Sequence, residues 1–114
     1  MPLYQPATTS SSNLLAVTAN TSIVVPAGFA ISQVIVENTT ANAVTGGIRV
    51  GTTGGGADVV VALAVGANAL TAVADAAVLK RFFSRTATQT LFVEAVVAWN
   101  SANVNFFLVL VRLV

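Results

Sequence analysis

Leu91-Phe92-Val93-Glu94-Ala95-Val96-Val97-Ala98-Trp99 and Val104-Asn105-Phe106-Phe107-Leu108-Val109-Leu110-Val111-Arg112-Leu113, joined by Asn100-Ser101-Ala102-Asn103, decide the fold class. Both runs are rich in β-branched and aromatic residues, and the four residues between them are small and turn-forming, which predicts two antiparallel strands and a tight hairpin. Side chains alternate across a strand. One face of the second run therefore carries Val104, Phe106, Leu108, Leu110 and Arg112, and the other carries Asn105, Phe107, Val109, Val111 and Leu113. A sandwich covers one face of each sheet, so a strand that is apolar on both faces predicts a further layer supplied by a partner, a loop or an arm. Left uncovered, the uncharged, proline-free stretch from Phe106 to Val111 is an aggregation hazard.

The same punctuation runs upstream. Leu14–Ala19, Ser22–Val25, Phe29–Glu37, Gly47–Thr52, Val59–Val65 and Leu70–Val73 are β-rich runs separated by turn residues such as Pro26-Ala27-Gly28, Asn38-Thr39-Thr40-Ala41-Asn42 and Gly54-Gly55-Gly56. Short strands at this spacing, with no long amphipathic helix between them, predict an all-β antiparallel sandwich or barrel and not a parallel α/β fold. Asp75–Phe83 reads either as one or two helical turns capped by Asp75 or as an irregular crossing between sheets. Residues 1–13, with Pro2, Pro6 and the Thr8–Ser12 hydroxyl run, read as an extended N-terminal arm, and residues 14–114 as one domain.

Composition points the same way. The chain has 114 residues, 55% hydrophobic and only 8% charged, with a net charge of +1; its mean hydropathy is +0.84. A soluble domain ordinarily carries roughly 25% charged residues, so this chain has too few to cover a monomer's surface, and association is expected. The small net charge gives no field to attract nucleic acid or an anionic membrane, and neither is expected as a partner. Residues 1–13 have neither a basic nor an apolar region of the kind that makes a secretory signal. The best membrane candidate, the uncharged stretch Val59–Ala74, is interrupted by Gly66, Asn68 and Thr71 and is dominated by alanine and valine, which disfavours a spanning helix.

Chemistry is constrained by absence. Without a single Cys or His, thiol catalysis, His-based triads and nearly all zinc sites are excluded, and no cofactor is expected. Glu37, Asp58, Asp75 and Glu94 are the four acids, none adjacent to another, and they read as turn caps or cross-strand partners in preference to a paired-carboxylate site. The expectation is a protein that is not an enzyme. Gly51-Thr52-Thr53-Gly54-Gly55-Gly56-Ala57-Asp58 lacks the lysine and the following hydroxyl of a phosphate-binding loop and reads as a turn. Lys80, Arg81 and Arg85 gather around Phe82 and Phe83, a basic rim beside apolar anchors that suits a protein interface better than nucleic acid. Leu3, Tyr4 and Trp99 complete the candidate interface residues. Trp99 reads either as a sugar-stacking platform or as an aromatic closing the end of the core.

Three segments carry a resemblance: Ile23-Val24-Val25-Pro26-Ala27-Gly28-Phe29, the stretch from Asn38 through Gly46-Gly47-Ile48-Arg49 to Thr52, and Trp99-Asn100-Ser101-Ala102. In their Ala/Val/Thr/Asn/Gly texture they resemble small virion proteins of tailed bacteriophages, over about residues 20–114. The resemblance implies a jelly-roll or sandwich fold and a capsid decoration (cement) role. It further implies self-association as a dimer or trimer, a major capsid protein as partner, and a place on the capsid surface of the virion. Fibre or tail modules that bind a host receptor or glycan use similar folds and are the alternative. In the cement reading, residues 1–13 are a strap laid along a neighbouring subunit, with Leu3 and Tyr4 as anchors.

Overall fold

A computed structural model describes residues 9–75, 77–80, 83–84 and 86–113. They form an all-β sandwich with strands β1 (Thr9–Val17), β2 (Thr21–Val25), β3 (Phe29–Asn38), β4 (Val44–Gly51), β5 (Val60–Val65), β6 (Leu70–Val73), β7 (Phe83–Ser84), β8 (Gln89–Ala95) and β9 (Val104–Arg112). One sheet has the order β1-β9-β3-β6, with the two-residue β7 also on β3; the other has the order β2-β8-β4-β5. Every named pairing is antiparallel.

With the short β7 set aside, the first strand pairs with the last, the second with the second-last, the third with the third-last, and the middle two with each other. This is one long antiparallel ribbon folded over on itself, the strand order of a jelly roll. It places β9 and β3 at the centre of one sheet and β8 and β4 at the centre of the other.

The expected hairpin is corrected. β8 and β9 do not pair; they lie in different sheets. After Ala95 the chain follows β4 a little further, with Val96 N–H donating to Gly47 O (2.9 Å) and a bridge between Thr45 and Ala98. It then reverses through Asn100 and Ser101, both at positive φ, with Ala102 N–H on Trp99 O at 2.9 Å. Loop length does not distinguish a hairpin from an arch between sheets. Burial does: as an arch, Leu91, Val93 and Ala95 face Val104, Phe106, Leu108 and Leu110 across the sandwich, and all seven are buried.

Residues 9–13, expected in the arm, form the first half of β1 instead, in register from Thr9↔Val111 to Asn13↔Phe107. Backbone pairing with β9 does not require an apolar side-chain pattern at a sheet edge, and Ser12 Oγ donates to Val24 O (2.7 Å), tying β1 to β2 in the other sheet. Asp75–Phe83 carries part of both readings: Val78 N–H and Leu79 N–H donate to Asp75 O (3.0 and 2.8 Å), a single turn with Asp75 as its cap, and the chain then crosses between the sheets. Leu79 bridges to Val60 of the other sheet before β7 returns to β3, and no helix occurs among the described residues. Val59–Ala74 is β5, a turn and β6, and no helix among the described residues is long and apolar enough to cross a membrane.

One backbone feature fixes the pairing of β4 with β5. Between Val44↔Val65 and Ile48↔Leu63 the register shifts, and Gly46 and Gly47 both have positive φ. A Cβ on Gly47 would stand 2.5 Å from Leu63 O, so the bulge requires glycine on both conformational and steric grounds.

Candidate functional site

Of the eight candidate interface residues, Leu3, Tyr4, Arg81, Phe82 and Arg85 lie outside the described residues. Phe83 is placed by its backbone, paired with Ala30. Lys80 is exposed, and its backbone N–H donates to Val59 O (2.8 Å). Trp99 is half-buried against the core, and its indole N–H donates to Asn20 Oδ1 at 2.7 Å, an oxygen that also accepts from Ala95 N–H at 3.2 Å. The ring thus closes the core beneath the β1–β2 turn, and its donor is already engaged.

The four acids each hold a local partner. Glu94 Oε1 accepts from Arg49 Nε (3.3 Å) directly opposite on β4 and from Gly55 N–H (2.8 Å) in the glycine-rich loop. Asp75 Oδ1 accepts from Ala77 N–H at 2.9 Å, capping the turn that follows. Glu37 Oε1 accepts from Asn105 Nδ2 at 2.9 Å on the outer side of the first sheet. Among the described residues no three acids converge in a group able to hold a metal ion.

Asp58 closes the β4–β5 loop by accepting from Thr52 Oγ1 (2.6 Å) and Thr52 N–H (2.8 Å). These bonds, the side-chain one first, favour the carboxylate and hold its pKa below the usual carboxylate value. Because the folded pKa is depressed, the stabilisation is present at neutral pH and is lost as pH falls through the folded pKa. In a pH titration followed by NMR, the Thr52 amide is expected to move with a midpoint below 3.8, the ordinary value for this group. A midpoint at or above that value means the loop is not held in this way.

The surface with the character of a site is the outer face of the first sheet. Along β9, Val104, Phe106, Leu108 and Leu110 are fully buried, whereas Asn105, Phe107, Val109 and Val111 point away from the core and stay partly exposed. Register sets Phe107 beside Ile35 of β3 and Asn13 of β1, and Val109 beside Gln33 and Ser11. Ile35 is followed across the sheet by Ala72 of β6. An apolar strip therefore runs through the middle of the face with uncharged polar residues along its β1 side. At one end Asn105 joins Glu37 to the β1 bulge, its Oδ1 accepting from Ala16 N–H at 3.0 Å.

The outer face of the other sheet differs. It carries the Arg49–Glu94 ion pair at its centre, with Val24 and Phe92 partly exposed beside Thr90 and Ser22. A shallow depression there is lined by Asn20, Thr21, Ser22, Phe92 and Glu94. Phe107, Val109 and Val111 were flagged by the two-faced alternation of their strand. Ile35 and Ala72 were not, because only the pairing of β3 with β6 and β9 brings them alongside. No family model matches this chain, and no curated protein and no solved structure matches it either.

Proposed function

We propose that this chain is a virion structural protein that decorates a capsid and cements neighbouring capsid subunits, acting through buried interface area and not through catalysis. The observation that carries the reading is the uncharged apolar strip on the outer face of a jelly-roll sheet, in a chain with 8% charged residues. Jelly rolls recur in viral capsid and lectin domains, which adds an argument by analogy. Many weak contacts repeated over a lattice stabilise a shell by avidity, so a modest face on each copy is sufficient. The partners in this reading are a major capsid protein and further copies of the chain.

The test is the composition of particles. Density-purified virions made by the source of this sequence should contain the chain in many copies, and antibody against it should label the head. Its absence from purified particles overturns the reading. A fibre module that binds a glycan is the second reading, and the half-open Phe92 beside Glu94, Thr21 and Ser22 is the feature that favours it. A glycan-array signal abolished by Phe92→Ala would select it over cement.

A further inference from the structure

We propose that two copies of this chain pack outer face to outer face through the β1-β9-β3-β6 sheet, about a two-fold axis that sets their β9 strands antiparallel. The inference deepens the reading of this chain as an interface protein by naming the surface and its first occupant.

The strip formed by Phe107, Val109, Val111, Ile35 and Ala72 has an apolar centre and a polar, uncharged flank in Ser11 and Asn13, the anatomy of a protein–protein contact. Its size is limited. From Asn105 to Val111 the strip is about 20 Å long and, over four strands, about 15 Å wide. Two such faces cover about 600 Å² in outline and bury on the order of 800–1,000 Å² with side-chain relief, below the standard size of a stable interface and in the range of weak, transient pairs. A flat apolar patch without central charge suits a copy of itself, because an isologous pair sets like surface against like.

Charge selects the orientation. Among the described residues, Glu37 is the charged side chain at an outward register position of this sheet, and it sits at the Asn105 end. Arg112, at the far end of β9, is exposed but belongs to the core-side register of that strand, opposite Phe29, so the outer face ends there on Val111. A two-fold axis parallel to the strands brings the two Glu37 carboxylates together. An axis across the strands sets Glu37 of each copy over the uncharged Val111 end of the other and keeps the two carboxylates apart. The second arrangement is the proposed one.

The experiment is sedimentation velocity of the full chain over a range of about 1–200 µM, where an interface of this size is expected to dissociate. Wild type should pass from monomer to dimer across that range. Val109→Glu should stay monomeric, and so should Ala72→Glu, which changes an exposed residue and spares the fold. Val24→Glu, on the other sheet, should dimerise like wild type. Glu37→Gln should change the dissociation constant less than about threefold, because the antiparallel pair keeps the two Glu37 carboxylates apart; a tightening of about tenfold or more would mean that they meet and would overturn this arrangement. A wild type that is monomeric throughout overturns the proposal, as does loss of dimer in Val24→Glu but not in Ala72→Glu. If Tyr4→Ser abolishes dimerisation and Ala72→Glu does not, the N-terminal segment makes the contact and the face-to-face pair is wrong. Monomers that still coat purified particles would overturn this dimer and leave the cement function standing.

Discussion

Phe106→Ala is expected to cost about 3–5 kcal/mol of folding stability, while the same change at the next residue, Phe107→Ala, costs about 1 kcal/mol. Phe106 has no exposed surface and lies among the largest buried side chains of the core. Removing its ring deletes apolar contact and leaves a cavity that a close-packed interior refills only in part. Phe107 stands on the other side of the same backbone, partly in water, so its ring contributes little to folding. In thermal unfolding followed by circular dichroism, the first variant should melt about 15 °C or more below wild type and the second only a few degrees below. Their association should rank the other way. Phe107→Ala should weaken the dimer, whereas Phe106→Ala, where it remains folded, keeps the outer face. Equal thermal losses at the two positions would mean that β9 does not present these faces as described.

That pair of residues also marks how far the sequence could be read. Most strand positions were legible, because alternating β-branched residues ended by Pro26-Ala27-Gly28, Asn38–Asn42 or Gly54-Gly55-Gly56 define those strands locally. Strand partners were not. Asn100-Ser101-Ala102-Asn103 has the composition of a hairpin loop, and the choice of an arch depends on burying β8 and β9 against each other across the sandwich, a non-local term. The core face of β9 was equally undetermined, because Phe106 and Phe107 differ in surroundings and not in chemistry. β1 was missed over Thr9–Asn13 because an edge strand can be held by backbone pairing with a polar side-chain set. At the candidate site, the apolarity of Phe107, Val109 and Val111 could be seen in advance, but Trp99 could not be assigned until Asn20 was found at its indole N–H.

Asn38→Asp is expected to be among the most damaging single changes that alter almost no volume, and its cost should depend on pH. Asn38 is 2% exposed and uses its whole amide. Nδ2 donates to Asn42 O (2.7 Å) and Gly66 O (3.0 Å), while Oδ1 accepts from Thr40 N–H (3.0 Å) and Thr40 Oγ1 (2.7 Å). One side chain thereby clamps the β3–β4 loop to the β5–β6 turn, beside the bond from Asn68 N–H to Thr40 O at 2.8 Å. A carboxylate there sets a buried negative oxygen against two carbonyls, with no donor left to either. Its protonated form recovers one of those bonds, so burial and repulsion raise the folded pKa of the introduced acid above its unfolded value. A raised folded pKa places the variant's best stability below the unfolded value of about 3.9 and removes it as pH rises through the folded pKa. At neutral pH the loss should be about 3–5 kcal/mol relative to wild type, shrinking toward the cost of one hydrogen bond, about 1 kcal/mol, near pH 3. Urea unfolding of both proteins at several pH values measures the difference, and taking it against wild type cancels the opposite trend contributed by Asp58. A penalty that stays constant with pH would show that the introduced group reaches solvent, and that the clamp between the two loops is looser than its four hydrogen bonds require.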